Sequence, residues 1–166
     1  MTLTMNSEYH DNFQSAQAVA GEKLGRIGQK SLFDRLEWLS QLHALCLPAN
    51  KPLIVQSAEN DAEAWLFLMK KGLGNYSALA NWYNFTYRPI FADNYDEVTK
   101  LALLATIAKK LTSSCHRIEI SPVPEEDHAA SLTERAFKQA GWIVFKTKAD
   151  DNHILSVNDR TFDQYW

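Results

Sequence analysis

The chain has 166 residues, of which 46% are apolar and 22% charged, and this length is enough for one domain with its own core. The net charge of −3, without a long basic run, argues against a nucleic-acid surface or an anchor for anionic membranes. No stretch approaches the roughly 18 consecutive apolar residues of a membrane helix, and the opening MTLTMNSEYHDNF lacks the pattern of a secretory signal. Cys46 and Cys115 lie far apart in the chain, so we expect a cytoplasmic protein with two free thiols.

The N-terminal part of the chain is predicted to contain an arm followed by a helix. Residues 1–30 are polar and contain closely spaced glycines, so we expect a flexible arm with a short helix over FQSAQAVA. Residues 31–46 predict the first long helix, because leucines recur every three or four positions and Pro48 stops the pattern. The leucines on this face are Leu32, Leu36, Leu39, Leu42 and Leu45.

Three strands are predicted next. PLIVQS, residues 52–57, and AWLFLMKK, residues 64–71, predict an antiparallel hairpin whose loop is longer than the tightest turns. GLGNYSALA interrupts the apolar pattern. The aromatic run NWYNFTYR, residues 81–88, predicts a third strand that ends at Pro89.

The second half alternates helices and strands, which implies parallel pairing. Asp96 and Glu97 suit the positive N-terminus of the first of these helices, and Gly141 stands where the second would need a C-terminal cap. The predicted elements are helices over 96–111 and 125–141 and strands over 116–123, 142–148 and 153–157. We therefore predict an α/β (α+β mixed) fold whose mixed sheet is antiparallel in the first half and parallel in the second, with helices packed on it.

The order of elements resembles the GNAT acyltransferase fold over residues 31–158. LFDRLEWLSQL and LGNYSALANWYNFTYRPIF resemble the opening helix and the aromatic strand of Fem-type (FemAB-like) peptidyl transferases and the CelD-like acetyltransferase group. RIEISPVPEED, AFKQAGWIVF and NHILSVNDRTFDQYW follow in the order of the same group. Those proteins carry two GNAT-like halves. The resemblance implies that this chain is the first half and that residues 159–166 begin a connector to a second.

The position at which the GNAT pattern holds acetyl-CoA differs in this sequence. In the pattern, a glycine-containing turn after the fourth strand leads into a helix whose backbone N–H groups bind the pyrophosphate. Here the corresponding stretch is RPIFADNYDE, which has no glycine; Pro89 lacks an N–H, and Asp93, Asp96 and Glu97 would repel a phosphate. We predict that this chain binds no cofactor by itself and that acetyl-CoA or another acyl donor requires a second half.

Four residues of the aromatic run are predicted to bind substrate. The aromatic residues alternate across the predicted strand, so one face should pack on a helix and the other could line a substrate groove. We predict Trp82, Tyr83 and Tyr87 as substrate-binding residues, and Arg88 at the strand end could meet a carboxylate-bearing ligand. The alternatives are packing of the aromatic rings in the core and a salt bridge between Arg88 and a nearby acid.

Catalytic and metal-binding patterns are weak. Glu119 is a candidate general base, since the GNAT reaction takes a proton from an amine and a sheet carboxylate often accepts it; the alternative is an exposed or ion-paired glutamate. Cys115 and His116 are chain neighbours that point to opposite faces of a strand, which is poor geometry for a catalytic pair. The histidines show no metal-ligand spacing, so we predict no metal site.

The resemblance implies acyl or aminoacyl transfer to an amine, on a small-molecule, peptidoglycan-related or polysaccharide-related substrate. This chain would be the degenerate, substrate-shaping half, inactive alone and linked covalently to a second GNAT half. Two alternatives stay open. One is a non-enzymatic GNAT-like binding module that forms a homodimer through its sheet edge. The other is a complete, divergent acyltransferase that holds its cofactor by other contacts.

Overall fold

A computed structural model describes residues 5–125, 128–148 and 161–165. Its centre is a six-stranded mixed sheet in the order β1-β2-β3-β4-β6, with β5 paired to β3. All pairings are antiparallel except the parallel pairing of β4 with β6, which confirms the predicted change from antiparallel to parallel. The strands are β1 Asn6–His10, β2 Pro52–Glu59, β3 Ala62–Gly72, β4 Asn75–Ala78, β5 Ile90–Phe91 and β6 Arg117–Glu119.

Helices cover both faces of this sheet. They are α1 Phe13–Ala20, α2 Leu36–Cys46, α3 Glu97–Leu111, α4 Ala129–Gln139 and α5 Phe162–Tyr165, with short 3-10 helices at Gly21–Leu24 and Leu32–Asp34. One apolar cluster joins α1 and α2 to the sheet, and a second joins α3 and α4 to the opposite face. Among the helices of the described ranges, none has both the length and the apolar character needed to cross a bilayer.

The sequence of β3 reflects this double coverage. Trp65 and Phe67 pack in the cluster with α1 and α2, whereas Leu66 and Leu68 pack in the cluster with α3 and α4. A strand buried on both faces needs apolar residues at successive positions rather than alternate ones. This explains the continuous run AWLFLM at the middle of the sheet.

The hairpin between β2 and β3 is tighter than predicted. Glu59 pairs with Ala62, so the turn consists of Asn60 and Asp61 alone. Asn60 has a φ of 54°, a left-handed conformation that asparagine tolerates better than most residues. The expectation of a longer loop is therefore wrong.

The segment expected to be a flexible arm instead supplies an edge of the sheet and part of a core. Strand β1 pairs with β2 from Asn6↔Ala58 to His10↔Ile54. The predicted short helix is confirmed as α1, and it buries Ala16 and Ala20. The 3-10 helix that follows buries Leu24. The GNAT-like unit proposed for residues 31–158 thus shares its sheet with residues before 31.

The third strand of the first half is not the aromatic run. Strand β4 begins at Asn75, directly after a turn in which Gly74 has a φ of 68°. A side chain at Gly74 would stand 2.3 Å from the His116 ring, so glycine is required for both conformation and space. Residues 81–88 form an irregular loop, which we call the aromatic loop, and the predicted strand there is wrong.

The helices of the second half agree with the sequence. Asp96 caps α3, and Gly141 follows α4 with a φ of 95°. The Trp142 N–H donates to the Phe137 carbonyl and the Gly141 N–H donates to the Lys138 carbonyl, which is a Schellman cap. Strand β6 is shorter than predicted, residues 142–148 form no strand, and the strand predicted over 153–157 lies outside the described residues.

Candidate functional site

An apolar cleft of about 440 Å³ lies between helix α2 and the start of the aromatic loop. Its floor and walls combine leucine side chains with two aromatic rings. The residues that line this α2 cleft are Leu32, Glu37, Trp38, Gln41, Leu42, Leu45, Cys46, Asn81 and Tyr83.

The first wall is the outer side of the leucine face predicted for residues 31–46. Leu36 and Leu39 are buried against the sheet, as the helical spacing predicts. The helix predicted from residue 31 is interrupted, because Arg35 is extended: Leu32 lies in the 3-10 helix Leu32–Asp34, and α2 begins at Leu36. Leu32 and Leu45 are 48% and 75% exposed and line the cleft.

The second wall is a turn at the beginning of the aromatic loop. The Asn84 N–H donates to the Asn81 carbonyl at 3.0 Å, and the Asn81 N–H donates to Asn84 Oδ1 at 3.2 Å. Asn81 Oδ1 also accepts from the Tyr83 N–H at 2.9 Å. This turn separates two residues that the sequence grouped together, since Tyr83 lines the cleft whereas Trp82 is 99% exposed and does not.

Aromatic packing connects the two walls. The Phe33 ring meets the Trp38 ring edge-on, with centroids 5.5 Å apart, and meets the Phe85 ring edge-on at 5.9 Å. Edge-to-face pairs at such distances are a favoured arrangement of aromatic rings. Phe33 therefore ties the aromatic loop to α2 beside the cleft.

The polar groups of the cleft are few. Glu37 is the one charged residue among those that line it, and its carboxylate has no hydrogen-bond or ion-pair partner within the described residues. The indole Nε1 of Trp38 is buried and finds no hydrogen-bond partner in the same part of the chain. Buried hydrogen-bond donors normally have a partner, so the Trp38 N–H is an exception in this wall of the cleft.

Tyr87 lies in the core rather than in the cleft. Its hydroxyl accepts from the Phe67 N–H at 3.2 Å and donates to the Phe67 carbonyl, and burial raises the pKa of Tyr87 far above its ordinary value. Its own N–H donates to the Pro122 carbonyl at 2.7 Å, beyond the end of β6. On this edge of β3, β4 pairs with residues from Leu68 onward and β5 pairs with Ala64 and Trp65. Phe67 lies between these two pairings, and the Tyr87 hydroxyl forms hydrogen bonds with its backbone there.

Arg88 pairs with a buried acid that is distant in sequence. Arg88 Nε donates to Asp34 Oδ2 at 3.1 Å, and Asp34 is only 8% exposed. Burial raises the pKa of Asp34 above its ordinary value, while the Arg88 charge acts in the opposite direction. This ion pair joins the start of α2 to the end of the aromatic loop, because the chain of Asp34 leads directly into that helix.

Glu119 lies at the end of β6 with its side chain 66% exposed. Its carboxylate is 3.8 Å from Arg117 on the same strand. Glu119 does not line the cleft. The structure thus brings Tyr83 to the cleft and leaves Trp82, Tyr87, Arg88 and Glu119 in four other environments.

At the start of α3, where the GNAT pattern places its cofactor, the acidic side chains pair with groups of the protein. Asp96 Oδ1 accepts from the Thr99 N–H at 2.7 Å, and Glu97 forms an ion pair with Arg135. The hydrogen bond from Thr99 holds the pKa of Asp96 below its ordinary value, and the hydrogen bond from Arg135 does the same for Glu97. A backbone donor that an anion would need at this helix N-terminus is already used.

A buried polar network on the α1 face was not anticipated from the sequence. The Glu63 carboxylate forms an ion pair with Lys23 and accepts from Trp65 Nε1 at 3.2 Å and from Gln56 Nε2 at 3.4 Å. Gln56 Oε1 lies 3.0 Å from His10 Nε2. Gln56 follows the apolar run of β2 and Glu63 precedes that of β3, a signal visible in the sequence. Both Glu63 oxygens are partnered, so the network stabilises the fold and leaves no open position.

In the ranges 5–125, 128–148 and 161–165, no three His, Cys, Asp or Glu side chains are grouped so that they could hold a metal ion. Both cysteines are free; Cys46 is exposed beside the cleft, and burial raises the pKa of the Cys115 thiol to about 11. A thiol that stays protonated at neutral pH is a poor nucleophile.

Comparisons with models of protein families, with curated proteins and with solved structures found no match to this chain.

Proposed function

We propose that this chain is the substrate-shaping half of a GNAT-like acyltransferase and has no CoA site of its own. The observation that carries the proposal is the path from β4 through a glycine-free segment, which includes the two-residue strand β5, into α3 and then into β6, parallel to β4. This is the order in which the GNAT pattern places its cofactor junction. The antiparallel strands before it also follow that order.

The residues at this junction support the non-binding part of the proposal. A pyrophosphate needs free backbone N–H donors and close approach to the chain, and glycine allows that approach because it has no side chain. Here Asp96 occupies the Thr99 N–H, and Pro89 has no N–H to offer. The acids at the start of α3 add repulsion, so both charge and geometry oppose CoA.

The catalytic role is likewise assigned to a second half. Acyl transfer to an amine needs a base that reaches the attacking nitrogen. Glu119 is exposed, is close to Arg117 and lies outside the α2 cleft, so nothing in its surroundings supports it as that base. The α2 cleft is the feature through which this half would shape a substrate.

Calorimetric titration with acetyl-CoA tests the proposal. We expect no saturable heat with this chain and micromolar binding with a longer chain that continues past Trp166 into a second half. A variant carrying Asp96→Asn and Glu97→Gln serves as a control for charge. We expect this variant also to bind no acetyl-CoA, because the turn still lacks glycine. Saturable micromolar binding to the present chain would overturn the degenerate-half proposal.

A second candidate is a non-enzymatic binding or dimerisation module. It is favoured by large aromatic side chains that the aromatic loop presents to solvent, since Trp82, Tyr83 and Phe85 are 99%, 72% and 82% exposed. Exposed apolar patches of this kind often mark interaction sites. Light scattering over a range of concentrations tests the dimer; a monomer at every concentration would exclude it.

A further inference from the structure

We propose that one end of the sheet, which we call the basic end, docks on an anionic lipid bilayer, with lysine side chains on the head groups and an exposed leucine between them. The basic end consists of five lysines from three segments of the chain: Lys51, Lys70, Lys71, Lys109 and Lys110. The sequence contains no basic run, because only the fold brings these three segments together. The inference goes beyond the acyltransferase proposal and does not depend on it.

The course of the chain places the five lysines at the same end of the fold. Lys51 comes directly before β2, and its carbonyl accepts from the Lys70 N–H near the end of β3 at 2.8 Å. Two more of the lysines lie in the last turn of α3. Shortly after that helix, the His116 N–H donates to the Gly74 carbonyl at 2.7 Å, in the turn between β3 and β4. The end of α3 therefore lies beside the end of β3.

The five lysines have no ion-pair partner within the described residues. Lys51 and Lys70 are opposite each other in the continuation of the β2–β3 pairing, and like charges in that arrangement destabilise a sheet. On the neighbouring strands, Glu119 lies 3.8 Å from Arg117 instead, and Asp11, after β1, pairs with none of the five. A partner of opposite charge would supply the counter-charge that this part of the fold lacks.

The opposite end of the same elements is acidic. Glu59 and Asp61 lie at the turn between β2 and β3, and Asp96 and Glu97 lie at the start of α3. Strand β3 has 11 residues, or roughly 36 Å at about 3.3 Å per residue, which is several times the screening length of about 8 Å in physiological salt. These acids therefore do not cancel the lysines, although the net charge of the chain is −3. The polarity turns the basic end towards an anionic surface.

An exposed leucine distinguishes a bilayer from other anionic partners. Leu73 and Gly74 form the turn between β3 and β4, and Leu73 is 90% exposed. The Gly74 carbonyl accepts from two successive backbone N–H groups, the first from His116, so the turn is held in place. One exposed leucine is ordinary on a protein surface. Beside two lysines of the same hairpin, however, it supplies the apolar contact of a bilayer-binding surface, which favours lipid over an acidic protein segment or a nucleic acid.

Co-sedimentation with lipid vesicles tests the inference. The full chain is mixed with vesicles of phosphatidylcholine alone and with vesicles of phosphatidylcholine and phosphatidylglycerol in equal parts, at low and at high salt. We expect binding to the anionic vesicles only, and we expect salt to weaken this binding by screening the lysines. Equal binding to both kinds of vesicle, or no binding to the anionic vesicles at low salt, would overturn the inference.

Two triple variants that each remove three positive charges locate the contact. The first changes the basic end by Lys51→Gln, Lys70→Gln and Lys71→Gln. The control changes the surface near Phe91 of β5 by Arg26→Gln, Lys30→Gln and Lys100→Gln. We expect the first to weaken binding to the anionic vesicles at least about ten-fold, because each lysine near such a surface contributes about five-fold. The control should weaken it less than about two-fold, since its charges lie more than a screening length away. Equal losses would contradict docking through the basic end.

Two exposed aliphatic residues provide a second matched pair. Leu73→Ser removes the apolar tip, and Ile27→Ser makes a similar change at a residue that is 85% exposed in the loop beside β5. We expect about a five-fold loss of binding to anionic vesicles for Leu73→Ser and no loss for Ile27→Ser. Circular dichroism and thermal unfolding check that every variant is folded. A loss in the triple lysine variant without a loss in Leu73→Ser would indicate an acidic protein or a nucleic acid as the partner and would overturn the assignment to a bilayer.

Discussion

The Tyr87 hydroxyl forms hydrogen bonds with the backbone of the central strand β3 at Phe67. Replacing it by phenylalanine keeps the ring and removes both hydrogen bonds to the Phe67 backbone. We expect Tyr87→Phe to lower the free energy of unfolding by about 1–3 kcal/mol, because a buried N–H is left without a partner. Urea unfolding at neutral pH measures this difference.

Tyr83→Phe is the matched control, because it makes the same chemical change at a residue that is 72% exposed. Its unfolding curve should coincide with that of the parent chain. Equal effects of the two variants would mean that the hydroxyl of Tyr87 is not buried in the way described.

Substitutions in the Asp34–Arg88 pair test whether Arg88 stabilises the fold or binds a ligand. Arg88→Met leaves the Asp34 carboxylate buried without this partner, and we expect a loss of about 3 kcal/mol in the free energy of unfolding. Asp34→Asn, which leaves no buried charge, should cost less. If Arg88→Met unfolds like the parent chain, Arg88 does not hold the fold and a role in ligand binding becomes the better explanation.

Asp34 also predicts a dependence of stability on pH. Burial raises its pKa above the ordinary 3.8, so the folded protein holds this proton more tightly than the unfolded chain does. The stability linked to this proton is present below pH 3.8 and is lost as the pH rises through the folded pKa. We therefore expect the stability advantage of the parent chain over Asp34→Asn to shrink as pH rises through this window. Urea curves at successive pH values test the sign; an advantage that grows with pH would mean that the Arg88 attraction outweighs burial.

At the scale of elements, helix α1 tests whether the N-terminal segment belongs to the fold. Asn12 caps α1 and forms a reciprocal capping box with Ser15. We expect Asn12→Ala to lower the free energy of global unfolding by about 0.5–2 kcal/mol, with Asn12→Ser close to the parent chain. Thermal and urea unfolding monitored by tryptophan fluorescence measure it. A segment that moved independently would show no global effect from either variant.

The elements also show which local patterns are reliable. Helix α3 could be predicted because its apolar spacing, its acidic start and its lysines at the end all agree, and the structure confirms it over Glu97–Leu111. The aromatic loop carries strand-forming residues, yet it forms no strand. Strand β4 follows the Gly74 turn immediately and pairs with the edge of β3. Residues 81–88 come after β4 in the chain and do not pair with that part of β3.

For the whole molecule, both faces of the sheet must be covered for the fold to be stable. Deletion of residues 1–30 would remove β1, α1 and the buried Leu24, and would uncover Trp65 and Phe67. We expect the shortened chain to lose its cooperative thermal transition and to aggregate, because a large apolar surface becomes exposed. Calorimetry and size-exclusion chromatography measure both effects.

Deletion of residues 1–4 is the control, since it leaves β1 complete. This shorter deletion should preserve the cooperative transition. A cooperative, monomeric chain after the deletion of residues 1–30 would show that a unit starting at residue 31 folds alone.

The sequence by itself was sufficient for the fold class, for the helices α1, α3 and α4 within four residues, for α2 from Leu36 onward, and for the glycine-free junction before α3. Those features depend on periodicity, caps and residue types that are close together in the chain. The position of residues 6–24, the loop at 81–88, the Asp34–Arg88 pair and the α2 cleft came from the tertiary structure. Each depends on partners far apart in sequence, as in the pairing of Asn6 with Ala58 or of Asp34 with Arg88. A local sequence pattern does not indicate which distant strand edge or charged side chain a segment will contact.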